Sequence, residues 1–256
     1  MTDVVPLKTP EETELEFKLA ELGELEGLLA ERELELADVQ GQLSTFQSRY
    51  FQAVGARYRD LDRLNLEIAE RLVGTSSGDS DAEAVLEGAR RRAAESAGAM
   101  GDVDDAPVSR EEPSSELRRL YRQVARQVHP DLALDEADRA RRTTLMARAN
   151  AAYAARDMEA MLQVLRDAAS LPDAIRGDDV AAKLVRAIRN IHRARERLRQ
   201  IAEELDSARA SPMFALMSRC NEAADAGRDL LAEMADVLDE DITAARAKLS
   251  TKTAAG

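Results

Sequence analysis

From Glu11 to Val73 the chain contains no proline, and Leu15, Leu22, Leu29, Leu36, Leu43 and Tyr50 recur every seven residues, with Leu25, Val39, Phe46 and Ala53 three places further on. An apolar seam of that period belongs to a long helix laid against another helical surface, and it is incompatible with a strand. Lys18, Arg32, Gly23 and Gly27 weaken the seam. After Tyr50 the stripe shifts by four residues and continues through Val54, Tyr58, Leu61, Ile68 and Leu72, a stutter that relaxes the helix locally. A coiled-coil helix over residues 11–73, self-associating through this seam, is therefore expected. At 1.5 Å per residue so long a helix needs a partner face in water.

Composition points the same way. Aromatic residues make up 3% of the 256 positions, Trp is absent, and 33% of the residues are charged. Long helices suit such a chain better than one large core, and the expected fold class is all-α. The single cysteine, Cys220, cannot close an intramolecular disulfide and reads as a small buried hydrophobe. The first residues, Met-Thr-Asp-Val-Val-Pro, have neither a basic nor an apolar signal region, and no apolar run approaches the roughly 20 residues of a membrane span. A cytoplasmic protein with no membrane partner is the expectation.

Charge is unevenly spread. Residues 1–112 carry 12 basic and 26 acidic side chains, residues 113–170 carry 10 and 8, and residues 171–256 carry 14 and 15. A net charge of −13 argues against nucleic acid as a partner, while the middle of the chain is locally basic. The proposed organisation is a flexible N-terminus (1–10), the coiled-coil helix (11–73), an acidic linker rich in Gly, Ser and Ala (74–112), a central helical segment (113–170) and a C-terminal helical hairpin (178–250). Within the linker a short helix can form around residues 82–94. In the hairpin, Asp178 or Asp179 caps a helix to about Arg209, and Ser211-Pro212 opens a second to about Leu249. His192 lies on an arginine-rich face without companion ligands and reads as a surface residue.

The central segment holds the sharpest signal. Ser114 and Glu116 open a helix in which Leu117, Leu120, Tyr121, Val124 and Val128 share one face, while Arg118, Arg122 and Arg126, with Arg119 beside them, form a positive stripe on another. Pro130 disfavours helical geometry at His129, so His129-Pro130-Asp131 falls in the turn that follows. Asp135-Glu-Ala-Asp138 reads as a capping box opening a second helix to about Arg156, with Leu145, Met146, Ala149, Ala152 and Tyr153 on its apolar side. Asp157 caps a third, carrying Met161, Leu162 and Leu165.

Over residues 114–168 this pattern resembles the J-domain, or DnaJ-type, co-chaperones. The resemblance lies in Leu-x-x-Leu-Tyr-Arg-x-x-Ala-Arg-x-x-His-Pro-Asp and in Asn150-Ala-Ala152-Tyr153. It implies an antiparallel hairpin with the tripeptide at its tip. It also implies a DnaK-type chaperone as the partner, whose ATP hydrolysis the loop and basic helix stimulate. On that basis His129, Pro130, Asp131, Arg118, Arg119, Arg122 and Arg126 are the partner-binding residues. No catalytic residue, metal site or cofactor is expected. Neither a Tyr-x-x-Leu-Gly helix before Pro113 nor a basic residue after the tripeptide is present, Leu132 standing in the latter place, so packing of the hairpin is expected to draw on other parts of the chain. Nor is there a Gly/Phe-rich stretch or a repeated Cys-x-x-Cys module for capturing clients. The competing expectation is a coiled-coil scaffold in which the J-like hairpin is a packing unit and the tripeptide only a turn. A working loop leaves His129, Asp131 and the arginine stripe accessible and a packing unit buries them, while the excess of 14 negative charges in residues 1–112 can mask a working loop and make the chain autoinhibited.

Overall fold

A computed structural model describes residues 8–75, 80–98, 112–133, 135–169 and 179–253. Among these residues every regular element is helical: α1 (Pro10–Tyr50), a π-helical turn (Phe51–Gly55), α2 (Ala56–Thr75), α3 (Ser80–Gly98), α4 (Ser115–Val128), a 3-10 turn (Pro130–Leu132), α5 (Glu136–Ala154), α6 (Met158–Ala169), α7 (Val180–Ala210), α8 (Pro212–Asp225) and α9 (Leu230–Thr253). The all-α expectation holds. None of these helices is long and apolar enough to cross a membrane. Residues 1–7 of the expected flexible N-terminus, the Asp178 cap and most of the non-helical linker fall outside the described residues, while Pro10 already belongs to α1. The linker's expected short helix is present as α3.

The chain divides into two compact units, each assembled from separated stretches: Met1–Gln42 with Ser109–Ala210, and Leu43–Val108 with Ser211–Gly256. In the first unit, α4, α5 and α6 close on a core of Leu117, Leu120, Tyr121, Val124, Val128, Ala149, Tyr153, Met161 and Val164, all essentially buried. Burying each large side chain stabilises the unit by about 1.5–3 kcal/mol. Ala30 and Leu34 of α1 complete this core. α1 thus reaches this core from some eighty residues upstream of Pro113. A second cluster joins Leu22 of α1, Leu132 of the 3-10 turn and Ile191 of α7. The caps are those the sequence indicates: Ser114 Oγ accepts from Leu117 N–H at 3.1 Å, Asp135 Oδ1 from Asp138 N–H at 2.8 Å, and Asp157 Oδ1 from Ala160 N–H at 2.9 Å.

The second unit packs Phe46 and Val54 against Met217, Leu231 and Leu238, and Leu64 against Ile242, Ala245 and Leu249. α2 and α3 lie along each other, each presenting a buried alanine, Ala69 and Ala89. Arg57 Nε pairs with Asp239 at 2.9 Å. Cys220 packs at the edge of the first of these clusters, and burial pushes its thiol up, in keeping with a hydrophobic role.

Two expectations need correction. The C-terminal segment is not one hairpin of two helices. It is divided at Ser211 between the two units, and its second helix is broken into α8 and α9. Gly227, at φ +76°, makes the break: Gly227 N–H bonds Ala224 O at 2.9 Å and Arg228 N–H bonds Ala223 O at 2.9 Å, the paired closure of a Schellman motif. Asp229 then caps α9 through Ala232 N–H. Secondly, the spacing of Leu184, Ile188, Ile191, Leu198, Ile201 and Leu205 puts all six on one apolar side of the helix, yet Ile188 is exposed, while Ile191, Ile201 and Leu205 are buried.

Candidate partner-binding site

The tripeptide sits where α4 must stop. Proline at 130 keeps His129 extended, at φ −57° and ψ 128°, and Pro130–Leu132 closes a single 3-10 turn in which Leu132 N–H bonds His129 O at 3.1 Å. α5 returns antiparallel to α4, with Arg142 Nη1 donating to Gln127 O at 2.7 Å near the tip and Tyr121 Oη donating to Asn150 Oδ1 at 2.8 Å further back. The Tyr121 and Tyr153 rings meet 4.8 Å apart, so the Asn-x-Ala-Tyr pattern and the tyrosine of α4 form one contact.

His129 does not face outward. It is 3% exposed, and its ring is held at both nitrogens. Nδ1 accepts from the Asp131 backbone N–H at 3.2 Å, so Nε2 carries the proton and donates to Glu33 Oε1 at 3.1 Å. The same Glu33 oxygen accepts from Arg197 Nε at 2.8 Å, and Arg197 also donates to Glu204 Oε1 at 2.7 Å. Glu33 itself is only 5% exposed. Burial pushes its carboxyl up, but the hydrogen bonds from His129 and Arg197 and the guanidinium charge outweigh that, so it lies below the usual glutamate value. The imidazole at α4's end, a buried carboxylate of α1 and a half-buried guanidinium of α7 therefore form one network.

Further bonds hold the loop in place. Arg193 Nη1 donates to Ala133 O at 3.2 Å, Leu132 is buried with Leu22 and Ile191, and Arg195 pairs with Glu21. Pro130 and Asp131 stay partly accessible.

The arginine stripe is split. Arg119, Arg122 and Arg126 are exposed, with Arg119 3.8 Å from Glu116 and Arg126 donating to Gly23 O at 3.4 Å. Arg118 turns toward Asp38, Nε to Oδ2 3.7 Å, and Asp38 in turn accepts the Tyr153 hydroxyl at 2.5 Å. Of the expected partner-binding residues, the hairpin thus gathers all seven around its tip and first helix, but presents His129 and Arg118 to the chain itself.

Sequence reasoning overlooked Glu33 and Arg197. Each lies in phase with a buried stripe, Glu33 between Leu29 and Leu36 and Arg197 with Ile201 and Leu205, and an ionisable side chain in phase with core positions signals a buried pair. Among the described residues no grouping of His, Cys, Asp and Glu is set to hold a metal ion. Comparison with known proteins gave no matching family model, no matching curated protein and no matching solved structure.

Proposed function

We propose that this chain is a J-domain-like co-chaperone for a DnaK-type ATPase, held here in a closed state. What supports the reading is the placement of His129-Pro130-Asp131 at the tip of an antiparallel hairpin beside the exposed Arg119, Arg122 and Arg126. Arginine forks make charge-assisted bonds to carboxylates and speed encounter, which suits a brief, salt-sensitive contact with an acidic partner surface. The loop supplies orientation once Glu33 lets go of His129.

A second reading, a scaffold in which the hairpin only packs, is favoured by one observation, the burial of His129 in a satisfied network. Point substitution separates the two better than truncation, because removing α1 would also remove Ala30 and Leu34 from the core. The test is single-turnover ATP hydrolysis by a DnaK-type chaperone with the intact chain, with Glu33→Ala, and with Glu33→Ala combined with His129→Gln. A closed co-chaperone gives little stimulation in the first, clear stimulation in the second, and loss of it in the third. No stimulation from a Glu33→Ala chain whose helicity is unchanged refutes the co-chaperone reading and leaves the scaffold. Leaving the buried His129 Nε2 without its acceptor, and the half-buried Arg197 with Glu204 alone, should cost about 1–3 kcal/mol, so its melting curve is measured alongside.

A further inference from the structure

Within the second unit a cavity of about 300 Å³ lies against α3, lined by Tyr50, Phe51, Tyr58, Asp62, Arg92 and Glu95. It is independent of the hairpin and of the co-chaperone reading. The chain has four Tyr and four Phe and no Trp, and three of those eight rings meet here.

The backbone is built to bring them together. Tyr50 and Tyr58 are eight residues apart, which on an uninterrupted α-helix would point them roughly 80° away from each other. The π-helical turn absorbs one residue, Ala56 N–H reaching back five places to Phe51 O, and the divergence falls to about 20°. Asp62 follows Tyr58 by one helical turn, on the same face. Gly55 makes room for the ring of Phe51: a Cβ there would come within 2.8 Å of Phe51 Cδ1. Tyr50 and Phe51 meet edge to face at 5.7 Å with their planes 69° apart, forming a corner, and Tyr58, 41% exposed, forms a further wall.

The charge is complementary to a cation. Asp62 and Glu95 face the cavity against the single Arg92, leaving a carboxylate in excess. Among the described residues, side-chain cations lie over the rings of Phe17 and Tyr153, and no lysine or arginine covers Tyr50, Phe51 or Tyr58. Ring faces attract a weakly hydrated cation, whereas a metal ion needs a cage of several ligands, and among the described residues no group of three His, Cys, Asp or Glu side chains is set to form one here.

We propose that this cavity binds a small, free organic cation with a methylated ammonium head, seated against Tyr50, Phe51 and Tyr58 and neutralised by Asp62 and Glu95. The test is calorimetric titration of the full chain with choline, and with 3,3-dimethylbutan-1-ol, which replaces the trimethylammonium head by an uncharged group of the same shape. Choline should bind saturably and at least about tenfold more tightly than the alcohol, and Tyr58→Leu should weaken it by about tenfold. Asp62→Asn, which keeps the side chain's shape, should weaken it severalfold and serves if Tyr58→Leu changes the fold. No saturable binding of choline, equal binding of the alcohol, or wild-type affinity in Asp62→Asn each overturns the proposal.

Discussion

Glu33 is the residue on which the state of the His-Pro-Asp loop turns. Its carboxyl lies below its usual value of 4.5, so the folded chain binds this proton less readily than the unfolded one. The resulting stability is fully present above pH 4.5 and is lost as pH falls through the lower folded value. Denaturant unfolding of the intact chain and of Glu33→Gln should therefore differ most near neutrality and converge in acid below pH 4.5. A gap that stays constant from neutral to acid pH would show that Glu33 is not charged in the folded protein. The sequence made His129 visible because Pro130 and the basic helix flank it. It left Glu33 and Arg197 hidden because Glu33 lies 96 residues from His129 and 164 from Arg197, and pairing across such separations leaves only a faint mark, a charge in phase with leucines.

Among the elements, caps and periodicity were legible while breaks were not. Ser114, Asp135, Asp157 and Ser211 all begin helices as their side chains suggest, since capping depends on a few adjacent residues. Gly227 was passed over because Met217, Leu231, Met234 and Leu238 keep an apolar pattern on either side of it. Its φ of +76° is a conformation other residues adopt only with strain. Gly227→Ala should lower stability by about 1 kcal/mol, read as a reduced thermal midpoint with the same helicity at low temperature. A midpoint equal to wild type would show that the α8–α9 junction rearranges without cost. Where the apolar stripe shifts after Tyr50, the chain forms a π-helical turn.

At the scale of the whole molecule, the heptad leucines need no second copy of the chain. Leu22 is buried with Leu132 and Ile191, Leu29 and Leu36 are buried, and Phe46 lies in a cluster with Met217, Leu231 and Leu238. Periodicity reveals a seam without identifying what fills it, so the same stripe that suggests dimerisation also fits an intramolecular partner. Light scattering should accordingly give the mass of one chain, 28.1 kDa, and a dimer would show that an apolar face other than this seam associates.

Both compact units are assembled from stretches far apart in the sequence, and this sets an order of events during synthesis. Leu22 emerges from the ribosome long before Ile191 exists, and at about 5–20 residues per second the nascent leucine stripe waits on the order of ten seconds for its cover. For that interval the growing chain is itself a sticky, unfinished substrate, in need of the protection that cells extend to newly made proteins.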